Sequence, residues 1–243
     1  MIPRAQPRES LIVLAALAAL AGLSWWLLFA VPMPMPGPAG VRSATYVGLT
    51  VLMWVVMMIA MMTPAVAPVV MLFDRSQGRS ERALHGRTWA FVTGYFTAWV
   101  LFSLLVALLQ IALIDITWVD TMMVSQKDAF SGALLVAVGV YQWLPAKSAC
   151  LEHCRNPVRF LQHHYRPALL GAWRMGAAHG AYCVGCCALL MLALFVGGVM
   201  NPLWIVGITG LVAIEKLLPR GPAVGRAMGL LLLVAGVVVL LRA

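Results

Sequence analysis

Residues 175–214 read MGAAHGAYCVGCCALLMLALFVGGVMNPLWIVGITGLVAI and contain no Asp, Glu, Lys or Arg. A helix needs about 20 apolar residues to cross the hydrocarbon core of a bilayer, so this stretch is long enough for two. Asn201-Pro202 divides it, because proline lacks a backbone N–H and disfavours helix in the residue before it. The stretch therefore predicts two consecutive transmembrane helices.

The rest of the chain has the same character. Of its 243 residues, 63% are hydrophobic and only 10% are charged, which excludes an ordinary soluble globular protein. The first apolar run is too long for the core of a secretion signal and is expected to stay as a helix. We predict an all-α membrane bundle, one domain over residues 1–243. Its seven spans are placed at about 11–31, 46–72, 88–114, 129–145, 177–200, 203–218 and 224–241.

The basic residues predict the orientation of this bundle. The net charge is +9, and fourteen of the seventeen Lys and Arg residues fall on one side of a seven-span arrangement. By the positive-inside rule that side is cytoplasmic, so the N-terminus is inside and the C-terminus outside, in a bacterial inner membrane. Topology and attraction to anionic lipid account for the charge, so no nucleic-acid partner is predicted. The segment 147–174 becomes a cytoplasmic loop rich in Cys and His.

A group of soft ligands lies on the fifth span. His179, Cys183 and Cys186 stand at i, i+4 and i+7, on one face of a helix, with Cys187 at the edge of that face. A histidine within lipid is costly and by default functional, so the face predicts a metal or redox site. The alternative is a packing face of small residues with inert cysteines. Three glycines would allow a neighbouring helix to approach closely: Gly176, Gly180 and Gly185.

The second span carries a run of thioethers, Met57, Met58, Met61 and Met62. Thioether and thiolate are the side chains that favour Cu(I). Methionine also packs irregular apolar space well, so the run alone does not establish ligation. If both spans meet the cytoplasmic face as predicted, the Met run and the Cys face lie at similar depth. The sequence does not show whether these two helices touch.

A third candidate group lies in the predicted cytoplasmic loop. Cys150, His153 and Cys154 form a C-x3-C pattern with an intervening His, which is compatible with metal binding. It is weak as a zinc signature because no second pair accompanies it, and two reduced loop thiols are the alternative. His163 and His164 are interpreted as solvated residues. Glu215 is expected to pair or reach the interface, or else to support His179.

Four segments together carry a family resemblance. They are MWVVMMIAMMTPAVAP (53–68), CLEHCRNP (150–157), HGAYCVGCCALLMLALFVGGVMNPLWI (179–205) and AIEKLLPRG (213–221). Over about residues 47–219 the chain resembles a bacterial family of predicted metal-binding integral membrane proteins of unknown function. The resemblance implies a metal at the matching Met, Cys and His positions. These are Met57, Met58, Met61, Met62, Cys150, Cys154, His179, Cys183, Cys186 and Cys187.

The leading hypothesis is a membrane protein that binds, and transports or delivers, a soft transition metal. Copper as Cu(I) is favoured over zinc, and a protein that donates or accepts the metal is the expected partner. A thiol–disulfide oxidoreductase using Cys183 and Cys186, a haem-bearing redox protein, and a scaffold with purely structural Met and Cys stay open. The chain has no hydrolase motif and no phosphate-binding loop, which favours a binding protein over an enzyme.

Overall fold

The computed structural model describes residues 7–31, 34–36, 40–77, 86–120 and 123–242, with side chains from Ser10 onward. Within these ranges the secondary structure is helical, apart from an isolated bridge between Val119 and Ser125. Ten helices occur in the described part. They are α1 (Pro7–Ala30), α2 (Ala44–Ser76), α3 (Gly86–Asp115), α4 (Asp128–Tyr141), α5 (Pro145–Arg155), α6 (Pro157–His164), α7 (Ala168–Leu192), α8 (Leu194–Gly197), α9 (Pro202–Leu217) and α10 (Gly221–Arg242).

Five of the described helical segments are long and apolar enough to cross a membrane, as expected of a multi-pass membrane protein. They are α1, α2, α3, α10 and the combined segment Ala168–Gly197, which joins α7 and α8. A sixth span results if α4 and α5, bent by 63° at their junction, count as one. The predicted span 203–218 corresponds to α9, whose 16 residues are fewer than the about 20 that a full crossing needs.

The segment predicted as a cytoplasmic loop is largely helical. Pro145 and Pro157 stand at the first turns of α5 and α6, where proline is favoured because its missing N–H has no partner there in any case. α7 then begins at Ala168, before the predicted start of the fifth span. Arg174 is the last residue of the predicted loop. In the structure it lies within α7, and its charged side chain is exposed.

The helices α3 and α7 form the most extensive helix–helix contact in the described part of the chain, and their backbones approach closely. A Cβ added to Gly176 would stand 1.9 Å from the carbonyl oxygen of Phe91, and one added to Gly180 would stand 2.6 Å from that of Tyr95. On the facing helix, a Cβ on Gly94 would stand 2.0 Å from the carbonyl oxygen of Trp173. Small residues permit this contact, as the sequence suggested for Gly176 and Gly180. The interface fixes the helix that carries three of the five cysteines.

The variant Gly176→Ala is expected to lose stability through this contact. Its new methyl group collides with backbone rather than with a movable side chain, so the cost should reach or exceed the ~1–3 kcal/mol typical of overpacking. Gly207→Ala is the matched control, because nothing lies within 4 Å of a Cβ at that helical position. Thermal unfolding of both variants in detergent checks the expectation. Equal midpoints would show that α3 and α7 are not held this closely.

Candidate metal site

Four buried thiols from two helices form one cluster. α7 supplies Cys183, Cys186 and Cys187, each about 1% exposed, and α5 supplies Cys154 at 8%. The Sγ atoms of Cys154 and Cys186 are 3.9 Å apart, although the residues are separated by 32 positions in sequence. The structure therefore joins part of the predicted loop motif to the predicted transmembrane face. We refer to these four residues as the thiol cluster.

A buried lysine reaches the thiol cluster from α9. The Nζ atom of Lys216 lies 2.7 Å from the Sγ of Cys183 and 3.9 Å from the Sγ of Cys187. The hydroxyl of Tyr95, on α3, is 3.0 Å from the same Cys183 sulfur. Because Lys216 is only 7% exposed, its ammonium faces the thiols rather than water, and it can compensate the charge of a thiolate.

Lys216 and Tyr95 were not predicted from the sequence as members of the site. One signal was present: Glu215 and Lys216 are adjacent charges at the end of an apolar helix, a placement that is costly without partners. Tyr95 gave no comparable signal, since a single tyrosine in an apolar span is common.

Two of the thiols are hydrogen-bonded to the backbone of their own helix. The thiols of Cys186 and Cys187 donate to the carbonyl oxygen of Cys183, at 3.1 and 2.8 Å. Such thiols must lose their protons and rotate away before they can ligate a metal. In the described part of the chain, no group of three or more His, Cys, Asp and Glu side chains is already arranged to hold an ion.

Glu215 pairs with a second buried lysine beside the cluster. Its carboxylate accepts hydrogen bonds from the Nζ of Lys147 at 2.7 and 2.8 Å, and both side chains are at most 4% exposed. Gln142 also accepts from Lys147. This contact confirms the expectation that Glu215 pairs, and it directs the carboxylate toward α5 instead of His179.

α5 is tied to α9 at a second point. The guanidinium of Arg155 donates to the backbone carbonyls of Glu215, Leu218 and Pro219, the last two at 2.8 and 3.1 Å. These carbonyls lie at the C-terminus of α9, where the negative end of the helix dipole favours a cation. The helices that carry Cys154 and Lys216 are therefore joined by an ion pair and by a cap.

His179 lies in an aromatic pocket one helical turn from Cys183. The ring centroids of Phe160, Tyr95 and Phe91 are 4.8, 5.9 and 6.2 Å from that of the imidazole. The side chain is 2% exposed, and its Nδ1 atom has no hydrogen-bond partner. A buried nitrogen without a partner is unusual enough to need an explanation, and a ligand on that nitrogen would provide one.

The predicted methionine ligands are buried but belong to a different part of the core. Met57, Met58, Met61 and Met62 are all at most 1% exposed. Their helix packs mainly on α1, α3 and α9, whereas α7 packs mainly on α3 and α5. The thioethers and the thiol cluster lie in one continuous hydrophobic core. The helices that carry them, α2 and α7, both pack on α3 and α9.

The two remaining predicted ligands, Cys150 and His153, lie at the edge of the cluster. Cys150 is half-buried, and its sulfur packs against Gly185, where an added Cβ would stand 2.8 Å away. The ring of His153 stacks on Tyr182, with centroids 4.0 Å apart. All five cysteines are free thiols.

A family model described as "PpoB2: Copper chaperone" matches residues 51–239, a range that includes every member of the thiol cluster, Lys216 and the four methionines. No curated protein and no solved structure matches the chain.

Proposed function

The chain belongs to the PpoB2 family of copper chaperones, and from that premise we propose that it binds Cu(I) in the membrane at the thiol cluster. One observation carries the assignment. Buried thiols from α5 and α7 meet at 3.9 Å beside a buried ammonium that is 2.7 Å from Cys183. Cys154 and Cys186 are the two thiolate ligands in this proposal, Cys183 is the sulfur nearest Lys216, and Cys187 and His179 are further donors on the same helix.

The distances suit a thiolate-bound ion. A thiolate–metal bond is about 2.3 Å for zinc, so two sulfurs on one ion are separated by no more than about 4.6 Å. The Cys154–Cys186 separation of 3.9 Å lies within that limit without any movement of the helices. The thiol protons have to leave, and the Cys186 side chain has to rotate away from the carbonyl oxygen of Cys183.

The charge balance favours Cu(I) over zinc. Two thiolates and one Cu(I) carry a net charge of −1, which the ammonium of Lys216 can neutralise in a site that water does not reach. Zinc prefers four ligands in tetrahedral geometry, and in the described part of the chain no three His, Cys, Asp or Glu side chains are arranged around a common ion. Thiolate binds zinc as well as Cu(I), but the thioethers in the same core are ligands for the softer ion. The buried thioethers of α2 are neutral and provide a weaker set of soft ligands, to which an ion could move on its way to an acceptor protein.

The membrane arrangement in this proposal has seven spans, with the N-terminus inside and the C-terminus outside, in a bacterial inner membrane. α9 and α4 supply the two spans beyond the five long ones, and α5, bent by 63° from α4, lies at the cytoplasmic side. Contacts at both ends fit this arrangement. Arg42 and Asp115, which a seven-span arrangement places outside, pair at 2.7 Å, while Lys147 pairs with Glu215 at the opposite end. Three of the fourteen basic residues, Arg4, Arg79 and Arg82, lie outside the described residues.

Copper retention by cysteine variants tests the assignment. Cys154→Ser and Cys186→Ser are expected to lose most of the Cu(I) that the purified wild-type protein holds, because each removes one side of the interhelical pair. Cys150→Ser is the matched control, since this half-buried thiol packs on Gly185 at the edge of the cluster. Mass-spectrometric metal analysis after detergent purification gives the stoichiometry. Full retention in Cys154→Ser and Cys186→Ser would contradict the proposal.

A thiol–disulfide oxidoreductase is the less favoured function. Exchange needs a thiolate that an external disulfide can reach, and Cys183 and Cys186 are each 1% exposed. Alkylation of the cysteines in intact cells separates the two functions. A copper chaperone should hold these thiols reduced, whereas an oxidoreductase should show a Cys183–Cys186 disulfide that responds to the redox state.

A further inference from the structure

We propose that His153 and His164 form a Cu(I) capture site at the mouth of the thiol cluster, which loads the buried thiols. The inference rests on the proposed function and adds a step before it. An open cavity of about 340 Å³ lies between α5 and α6 and is lined by both imidazoles, with Glu152, Phe160 and His163 beside them. The sequence had assigned His164 to solvent, but it is half-buried in this cavity.

Each imidazole contacts a backbone carbonyl through Nδ1, which leaves its Nε2 atom available to bind a metal ion. The Nδ1 atom of His153 is 2.9 Å from the carbonyl oxygen of Ala149, and that of His164 is 3.1 Å from the carbonyl oxygen of Phe160. A carbonyl oxygen only accepts, so Nδ1 carries the proton in each ring. In the neutral imidazole Nε2 then keeps its lone pair. Metal-binding histidines are commonly oriented by this kind of contact, with the second nitrogen bonded to a backbone carbonyl.

Aromatic contacts fix the two rings near each other. His153 stacks on Tyr182 at 4.0 Å between centroids, and His164 stacks on Phe160 at 4.5 Å. The two imidazole centroids are 6.3 Å apart. Two metal–nitrogen bonds of about 2 Å, together with the half-width of each ring, span about that distance. Two nitrogen ligands are enough for a transient Cu(I) site, because the ion must leave again.

The charges around the cavity permit a cation to enter. Arg159 lines the cavity and pairs with Glu152 at 2.9 Å, so its charge is offset. Asn156 adds a neutral polar group to the wall. The cavity therefore offers nitrogen ligands without an uncompensated positive charge.

The capture site is joined to the thiol cluster by the chain itself. His153 precedes Cys154, and Tyr182, on which His153 stacks, precedes Cys183. Neighbouring helical residues point about 100° apart, so α5 directs His153 to the cavity and Cys154 to the thiol cluster, while α7 directs Tyr182 to His153 and Cys183 to the cluster. Imidazole binds Cu(I) less strongly than thiolate, which makes transfer inward favourable. The step is a ligand exchange: copper stays Cu(I), its bonds to nitrogen break as bonds to sulfur form, and the thiol protons go to solvent.

Loading kinetics test this inference on the full chain in detergent. Cu(I) is supplied as its bathocuproine disulfonate chelate, and the loss of the coloured chelate is followed by stopped flow. The double variant His153→Gln/His164→Gln is expected to load at least ten-fold more slowly than the wild type, with unchanged final stoichiometry. His163→Gln is the control, because His163 lines the same cavity but is exposed. Wild-type loading rates in the double variant, or equal slowing in His163→Gln, would overturn the inference.

A second measurement is independent of the thiol cluster. In a variant with Cys154, Cys183, Cys186 and Cys187 changed to Ser, X-ray absorption of added Cu(I) is expected to show nitrogen ligands only. That signal should disappear when His153→Gln/His164→Gln is added. If the four-serine variant elutes as folded protein and binds no Cu(I), the inference is overturned. If instead purified Cys154→Ser and Cys186→Ser retain as much copper as the wild type, the proposed thiol site is contradicted and not the capture site.

Discussion

Lys216→Met is expected to weaken Cu(I) binding by about ten-fold to one hundred-fold. The reason is the ammonium 2.7 Å from the Cys183 sulfur, which offsets the excess negative charge of a copper–thiolate complex in a site shielded from water. Hydrogen bonds to charged groups contribute about 1.5–3 kcal/mol, and each 1.4 kcal/mol is a factor of ten in affinity. Methionine has similar length and keeps the packing, so the change removes the charge alone.

Competition with a Cu(I) chelator of known affinity measures this effect. Lys127→Met is the matched control, because it removes the same charge from an exposed position before α4 and should leave affinity unchanged. Wild-type affinity in Lys216→Met would mean that the lysine serves only to hold α9 in place. A drop in both variants would point to net charge rather than to the site.

Glu215→Gln is expected to destabilise the protein by about 3–5 kcal/mol. The substitution keeps the shape of the side chain but leaves the ammonium of Lys147 buried without its counter-charge. Breaking a buried ion pair from one side carries this penalty, because the remaining charge stays desolvated. The loss should be partly recovered in Lys147→Met/Glu215→Gln, where no uncompensated charge is left.

An exposed ion pair in the same protein provides the control. Glu152→Gln removes a carboxylate that pairs with Arg159 at 2.9 Å, but these side chains are 56% and 69% exposed. Exposed pairs contribute at most about 1 kcal/mol, so this variant should unfold close to the wild type. Thermal unfolding in detergent compares the four proteins. Similar midpoints for Glu215→Gln and Glu152→Gln would show that the Lys147–Glu215 pair is hydrated.

The long apolar helices could be predicted from the sequence because charge-free length and proline position are local properties, whereas α5 and α6 lie in the segment predicted as a loop. The start of α7 could not, since Arg174 interrupts the apolar run while its side chain points outward. The short length of α9 could be predicted, because the predicted span 203–218 and the observed helix Pro202–Leu217 both have 16 residues. Helical spacing was sufficient to group Cys183, Cys186 and Cys187.

The rest of the candidate site depends on which helices become neighbours. The approach of Cys154 to Cys186 and of Lys216 to Cys183 joins residues 32 and 33 positions apart, and no local pattern specifies such contacts. Contact between α2 and α7 could not be predicted, because similar depth in the membrane does not make two helices neighbours. In the structure α3 and α9 are the main elements that both helices share.

The two contacts between α5 and α9, the Lys147–Glu215 ion pair and the Arg155 cap, have a consequence for metal release. Lys147 and Arg155 join α5 to the end of α9, so Cys154 and Lys216 belong to one pair of connected helices. Cys183 and Cys186 belong to α7. Any displacement of α5 from α7 that carries α9 along separates Cys154 from Cys186 and Lys216 from Cys183 in the same movement. The ion then loses a sulfur ligand and the compensating positive charge at the same time, so one small helix movement lowers the affinity of the site in two ways.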